Sequence, residues 1–146
     1  MKKTSLLLAF TLSCSVPVIS AAGADSRELV TMPAPMQQHM LANMRDHLLA
    51  LTEIQQALGS GDFDRAAAVA EKRIGMSSLA THGASHMAPF MPKAMQDIGT
   101  EMHKAASRFA AIAQEAAVDG NPQKAVAALA KVTAQCVACH AGYRAH

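Results

Sequence analysis

The last twelve residues, QCVACHAGYRAH, hold two thiols and an imidazole at a fixed spacing. Cys139 lies three positions and His140 four positions after Cys136, so on a helix all three side chains lie on one side. Two thiols spaced in this way can add to the two vinyl groups of one porphyrin edge, while the adjacent imidazole reaches the iron beneath the ring. The pattern C-x-x-C-H therefore predicts covalent attachment of one haem c, with His140 as an axial ligand of the iron.

Other uses of a cysteine pair need surroundings that this sequence does not offer. A redox-active dithiol of the thioredoxin type needs strands alternating with helices, and no strand pattern is visible here. A structural zinc ion needs four ligands, but the chain has three cysteines in all, and the third, Cys14, lies far from the pair. Haem attachment remains the best interpretation of the motif.

Residues 1–24 have the features of a secretory signal peptide. Two lysines precede the apolar run Leu6–Ile19, and residues 22–24 (Ala-Gly-Ala) fit a cleavage site of the A-x-A type. The run is shorter than the roughly 20 apolar residues of a spanning helix, and Pro17 interrupts it, so we expect no stable membrane anchor. Cleavage after Ala24 leaves residues 25–146 as one domain, which we expect in the periplasm.

The charge balance argues against one class of partner. The lysines of the leader account for the whole net charge of +2, so the domain 25–146 is formally neutral. A neutral domain has no basic stripe to meet a phosphate backbone, and we expect no nucleic-acid partner. The sequence also shows no pair of carboxylates and no nucleophile with a neighbouring base that could form a catalytic site. We therefore expect that the protein is not an enzyme.

Apolar residues repeat at intervals of three and four over most of the domain, which predicts four helices. The predicted helices cover 40–58, 63 to about 75, 92–119, and 122 to about 143. Segment 76–91 has no regular apolar period, and we expect it to be irregular. In the fourth helix the predicted inner stripe includes Val126, Leu129 and Val132 as well as the haem motif. Short links between most neighbours predict an all-α, antiparallel up-down four-helix bundle that encloses the haem.

A C-terminal C-x-x-C-H motif followed by Tyr143 and Arg144, on the last of four helices, resembles the class II cytochromes c, the cytochrome c prime family. The resemblance extends over the domain 25–146, but its specific part is the terminal motif. It implies a monohaem electron carrier that exchanges electrons with redox proteins of the periplasm. Because members of this family are often dimers through their first two helices, it also implies a homodimer.

The family places its second iron ligand, or the residue at that position, in the first helix. Counting back from the turn at Gly59, and matching the apolar residues that follow, puts Met44 there, with Met40 and His47 as alternatives on the same stripe. A thioether ligand would fill the second axial site and raise the reduction potential, which suits electron transfer. A vacant distal site would instead suit the binding of nitric oxide or carbon monoxide.

The irregular segment 76–91 is rich in methionine and histidine and has no counterpart in the family motif. Thioethers and imidazoles together suit copper, particularly the cuprous ion, and His82 and His86 would share one side of a helix. One alternative is that methionine fills gaps at one end of the bundle. Another is that the segment shields the haem edge or contacts a redox partner. A copper-handling haem protein is therefore a further hypothesis for the function.

Arg144 lies one turn beyond His140 and is a candidate to pair with a haem propionate through a charge-assisted hydrogen bond. A cation at a helix C-terminus is also favoured by the helix dipole alone, so the pattern leaves both roles open.

Overall fold

The computed structural model of the chain describes residues 24–146. The predicted signal peptide, with Cys14, lies outside the described residues apart from Ala24. The rest is mostly helical, which confirms the all-α class. The elements in chain order are β1 (Glu28–Leu29), α1 (Ala34–Gly59), α2 (Phe63–Arg73), α3 (Ala84–Met87), α4 (Lys93–Asp119), α5 (Pro122–Gly142) and β2 (Tyr143–Arg144), with short 3-10 turns at Met76–Ser78 and Ala88–Phe90.

Local capping residues explain where the helices begin and end. The side chain of Asp62 accepts a hydrogen bond of 3.0 Å from the backbone N–H of Arg65 at the start of α2. Asn121 caps α5 in the same way, and Pro122 follows it as the first helical residue. Helix α4 ends at Gly120, whose φ of 68° lies in the left-handed region that favours glycine. These three boundaries agree with those that the sequence predicts, whereas α1 begins at Ala34, six residues before the predicted start at 40.

One half of the molecule is tightly packed through small side chains. The close helix pairs are α1 with α2, α2 with α4, and α4 with α5. Alanines dominate their interfaces, and Phe109, Ile54, Ile74 and Val132 are the largest side chains that are fully buried there. Because alanine lets helix axes approach closely, this half has little room for any further group.

The inner face predicted for the last helix is wrong at one position. Val126 is 57% exposed, whereas Ala125, Ala128 and Leu129 are buried in the packed half. The close approach of α5 to α4 selects the smaller alanine for the interface, which turns the valine outward. By length and composition alone α5 is also apolar enough to cross a membrane, with a mean hydropathy of 1.2 over its best window.

The segment between α2 and α4 crosses the other half of the molecule. It is irregular, as predicted, because Gly83 adopts a left-handed φ of 62° and interrupts the helical turns. The backbone carbonyl of His82 accepts hydrogen bonds from His39 Nε2 (2.9 Å) and Asn43 Nδ2 (3.0 Å), which attach the segment to α1. Gln96 Nε2 donates to the carbonyls of Ala88 and Met91 and attaches it to α4.

The two ends of the described chain are joined by a short parallel ladder, which the sequence analysis did not predict. Glu28 and Leu29 pair with Tyr143 and Arg144, and the N–H of Val30 donates to the carbonyl of Arg144 at 2.8 Å. The residues that follow the C-x-x-C-H motif are therefore held against the beginning of the described chain. We call this ladder the terminal clasp.

Candidate functional site

A cavity of about 390 Å³ lies in the less tightly packed half of the molecule. Its walls are the first half of α1, the first half of α4, the last turns of α5 and the crossing segment 76–91. Most lining side chains are apolar, and none of them is Asp or Glu. Its volume lies within the range of ordinary small-molecule and cofactor sites.

The cavity brings together the donors that the sequence singles out on two different helices. Cys136, Cys139 and His140 line it from α5, and Met44 lines it from α1. Met40 and His47, the alternatives to Met44, line it too. The first and last helices thus present the expected proximal and distal groups to one space.

The two thiols are chemically available. Cys136 and Cys139 are not joined in a disulfide, and each is partly buried. Burial raises the pKa of both thiols, so they stay protonated at neutral pH. Cys136 Sγ makes only a weak contact of 3.6 Å with the carbonyl of Val132. His140 is exposed, so the cavity opens to solvent beside the last turns of α5.

Gly99 leaves space on the α4 side of the cavity. It lies inside a long helix, where glycine costs about 1 kcal/mol relative to alanine. A Cβ atom built at this position meets no atom within 4 Å, so protein packing does not require glycine here. Because Gly99 has no side chain, a flat group in the cavity could lie close to the backbone of α4 at this position. Together with the unpaired thiols, this space fits the covalently attached ring that the motif predicts.

Three buried histidines from three different elements also meet at the cavity. His47 on α1, His82 in the crossing segment and His103 on α4 are each at least nine-tenths buried. Their ring centroids lie 4.8 Å (His47–His82), 5.6 Å (His82–His103) and 6.2 Å (His47–His103) apart. We call them the histidine cluster. His103, which directly follows Met102 on α4, is not among the residues that the sequence pattern indicates.

Hydrogen bonds fix the ring nitrogens of two of these histidines. His103 Nδ1 lies 2.5 Å from the carbonyl of Ile74 and must donate to it. Ser78 Oγ donates its proton to the carbonyl of Gly75 (2.7 Å), so it can only accept from His82 Nδ1 at 3.3 Å. In the neutral form of either ring, these hydrogen bonds place the proton on Nδ1 and leave the lone pair of Nε2 free.

His47 has no such hydrogen-bond partner at either ring nitrogen in the part of the chain that the structure describes. Its Nε2 atom is buried without a hydrogen bond, which is rare for a polar atom in a folded protein. Burial, followed by the neighbouring His82 and His103, lowers the pKa of His47 to about 4. Burial also lowers the pKa of His82. Both rings are therefore neutral at pH 7.

The methionines and histidines of segment 76–91 do not form one group. His82, Met87 and Met91 line the main cavity, whereas Met76 is exposed. His86 lines a separate shallow cleft with Met36 and His39. His82 and His86 do not share one side of a helix, because the left-handed turn at Gly83 separates them. Within residues 24–146, no three His, Cys, Asp or Glu side chains are already arranged to hold a metal ion.

The structure does not bring Arg144 into the cavity. It belongs to the terminal clasp, and its Nε atom lies 3.7 Å from a carboxylate oxygen of Asp25, too far for a hydrogen bond. Asp25 itself is paired with Arg27. A role for Arg144 at a haem propionate thus stays a prediction that this arrangement does not itself support.

No protein-family model, no curated protein and no solved structure matches this chain. The features that bear on its function are the C-x-x-C-H motif and the cavity that this motif lines.

Proposed function

We propose that the protein is a monohaem c-type cytochrome that carries single electrons between redox proteins of the periplasm. The observation that carries this proposal is that Cys136, Cys139 and His140 line the same cavity as Met44 from the facing helix. A C-x-x-C-H motif with this environment supports covalent haem attachment far more strongly than the motif alone. The proposed architecture is an antiparallel four-helix bundle that encloses the haem at one end, as in the class II cytochromes c.

Each residue at the site has a defined task in this proposal. Cys136 and Cys139 fix one edge of the ring through thioether bonds, and His140 provides the proximal imidazole. Met44 provides the distal thioether, which raises the reduction potential of the iron. A bound haem would supply a reversible one-electron couple, and the mostly apolar side chains that line the cavity would surround much of the ring.

The exposed side of α5 supports electron exchange with partner proteins. His140 is exposed, and Val137, within the attachment motif, is 68% exposed. A cofactor attached to this helix would have an edge close to the protein surface, where a redox partner can approach it. The leader predicted at residues 1–24 agrees with a periplasmic location.

The first test is the mass of the exported protein. We expect the mass of the processed chain plus one haem, and we expect the haem to be lost when Cys136→Ala and Cys139→Ala are combined. A bare polypeptide mass in the unaltered protein would contradict the proposal.

The second test concerns the distal ligand. Met44→Ala should remove the weak far-red band of a methionine-ligated ferric haem and lower the reduction potential. Met36→Ala is the matched control, because Met36 lines the separate cleft and should leave the spectrum unchanged. If the unaltered ferric protein is already five-coordinate and high-spin, the distal site is vacant, and binding of nitric oxide or carbon monoxide becomes the better proposal.

A further inference from the structure

The histidine cluster is the feature of the cavity that the proposed function does not use. Haem attachment requires Cys136, Cys139 and His140, and the proposed distal ligand is Met44. His47, His82 and His103 come from three separate elements and converge in the interior. Buried polar side chains normally have hydrogen-bond partners, yet His47 Nε2 has none.

The hydrogen bonds of the cluster resemble those that prepare imidazoles for metal binding. Histidines that bind metals usually donate their other ring N–H to a carbonyl or another oxygen, which fixes the ring and leaves one lone pair for the ion. His103 does this with the carbonyl of Ile74, and His82 does it with Ser78. In the same cluster, the unpartnered His47 Nε2 is the third nitrogen that remains free.

The ring separations are compatible with one ion. A ligating nitrogen lies about 2.0–2.1 Å from the metal, which puts the ring centroid about 3.2 Å away. Two rings on one ion are then at most about 6.4 Å apart, and about 5.2 Å apart at a tetrahedral angle. The observed 4.8, 5.6 and 6.2 Å all lie within this limit. The donor atoms are not yet converged, so binding requires rotation of the rings about their side-chain torsions.

The surroundings select the kind of ion. The cavity wall contains no carboxylate, and Asp46, the carboxylate that acts on His47 and His82 from outside the wall, is already paired with Arg73. This arrangement disfavours hard divalent cations such as calcium or magnesium. Met40, Met87 and Met102 are buried and line the same cavity, so soft thioethers lie close to the imidazoles. Imidazole and thioether donors around a site of low charge suit the cuprous ion.

We propose that His47, His82 and His103 form a buried binding site for one cuprous ion, beside the cavity wall that carries the Cys136-Cys139-His140 motif. This site differs from a copper site built from His82 and His86, because His86 lies in the separate cleft. It also assigns His47 to copper, which leaves Met44 as the donor of α1 to the haem. The site uses none of the residues that attach the haem.

Anaerobic titration of the exported protein with cuprous ion, in competition with a coloured cuprous chelator, tests the proposal. We expect one cuprous ion per chain, and we expect His82→Gln and His103→Gln each to weaken binding by at least about tenfold. His86→Gln is the control in the same segment and should bind as tightly as the unaltered protein. The proposal is overturned if the unaltered protein binds no cuprous ion, or if His82→Gln and His103→Gln bind it as tightly as the unaltered protein does. A loss of affinity in His86→Gln alone would also overturn it.

Two further measurements separate this result from misfolding and from the haem proposal. X-ray absorption at the copper edge of the unaltered protein should show a first shell dominated by imidazole nitrogen, and a shell of sulfur alone would overturn the proposal. Haem content is measured separately by mass. If haem proves absent, the titration is repeated with Cys136→Ser and Cys139→Ser combined. Retained binding then supports the histidine cluster, and lost binding assigns the copper to the free thiols and overturns it.

Discussion

The division between a packed half and a cavity half predicts a large stability effect at Phe109 that leaves the proposed haem attachment intact. Phe109 is fully buried in the middle of α4 and does not line the cavity. Replacing a buried phenylalanine by alanine typically costs 3–5 kcal/mol, with the higher values where the surroundings cannot collapse into the void. Many neighbours of Phe109 in the core are alanines, which have no flexible side chain to fill the space. We therefore expect Phe109→Ala to lose about 4 kcal/mol, or about 15 °C in Tm for a domain of this size.

Urea and thermal unfolding, followed by the helical circular dichroism signal, measure this loss. Val118→Ala is the matched control, because Val118 is 91% exposed on the same helix and should change the free energy of unfolding by less than about 0.5 kcal/mol. The amount of haem per folded chain should be the same in both variants. A loss below about 2 kcal/mol in Phe109→Ala would refute the view that this half forms the rigid, closely packed part of the molecule.

Three other substitutions test separate features of the structure. Arg73→Ala removes the ion pairs that join α2 to α1 and should cost about 1 kcal/mol, less at high salt. The Arg73 guanidinium holds the pKa of Asp46 below its usual value. As the pH falls through the carboxylate range, the unfolded chain therefore takes up a proton at Asp46 before the folded chain does, and the free energy of unfolding decreases. Arg73→Ala should flatten this part of the pH profile of unfolding. Gly99→Leu should fill the cavity and lower the fraction of chains that carry haem, measured by mass, whereas Gly59→Leu at the end of α1 should not. Asp62→Ala should destabilise the protein by about 1 kcal/mol in urea unfolding through loss of the α2 cap.

The starts of α2 and α5 and the end of α4 could be predicted because their signals are local, whereas α1 begins six residues before its predicted start and has no side-chain cap. Asp62, Asn121 and Gly120 act on backbone groups within a few residues, so a single sequence contains the information. The one-sided arrangement of Cys136, Cys139 and His140 follows in the same way from helical periodicity. These features do not depend on how distant segments pack.

Other parts of the site depend on packing between segments far apart in the chain. His47, His82 and His103 carry no common spacing, and only the path of the crossing segment brings them together. A single histidine beside Met102 on an alanine-rich helix gives no signal that distinguishes His103 from an ordinary core residue.

The inward face of α5 was also predicted imperfectly, for a related reason. The apolar periodicity predicts that the larger Val126 lies on the inner face of α5. Because α4 and α5 pack closely, the smaller Ala125 lies there instead. The terminal clasp could not be predicted either, since strands of two residues have no period to detect.

The terminal clasp has a consequence for the order in which the molecule can be completed. A parallel ladder of two residues is marginal on its own, and it joins segments from the two ends of the domain. Arg27 also reaches the carbonyl of His140, so the opening segment steadies the last turn of α5. Because synthesis proceeds from the N-terminus, Glu28–Leu29 is made well before its partner strand, Tyr143–Arg144. The ladder can therefore close only after all of α5, including Cys136, Cys139 and His140, has been made.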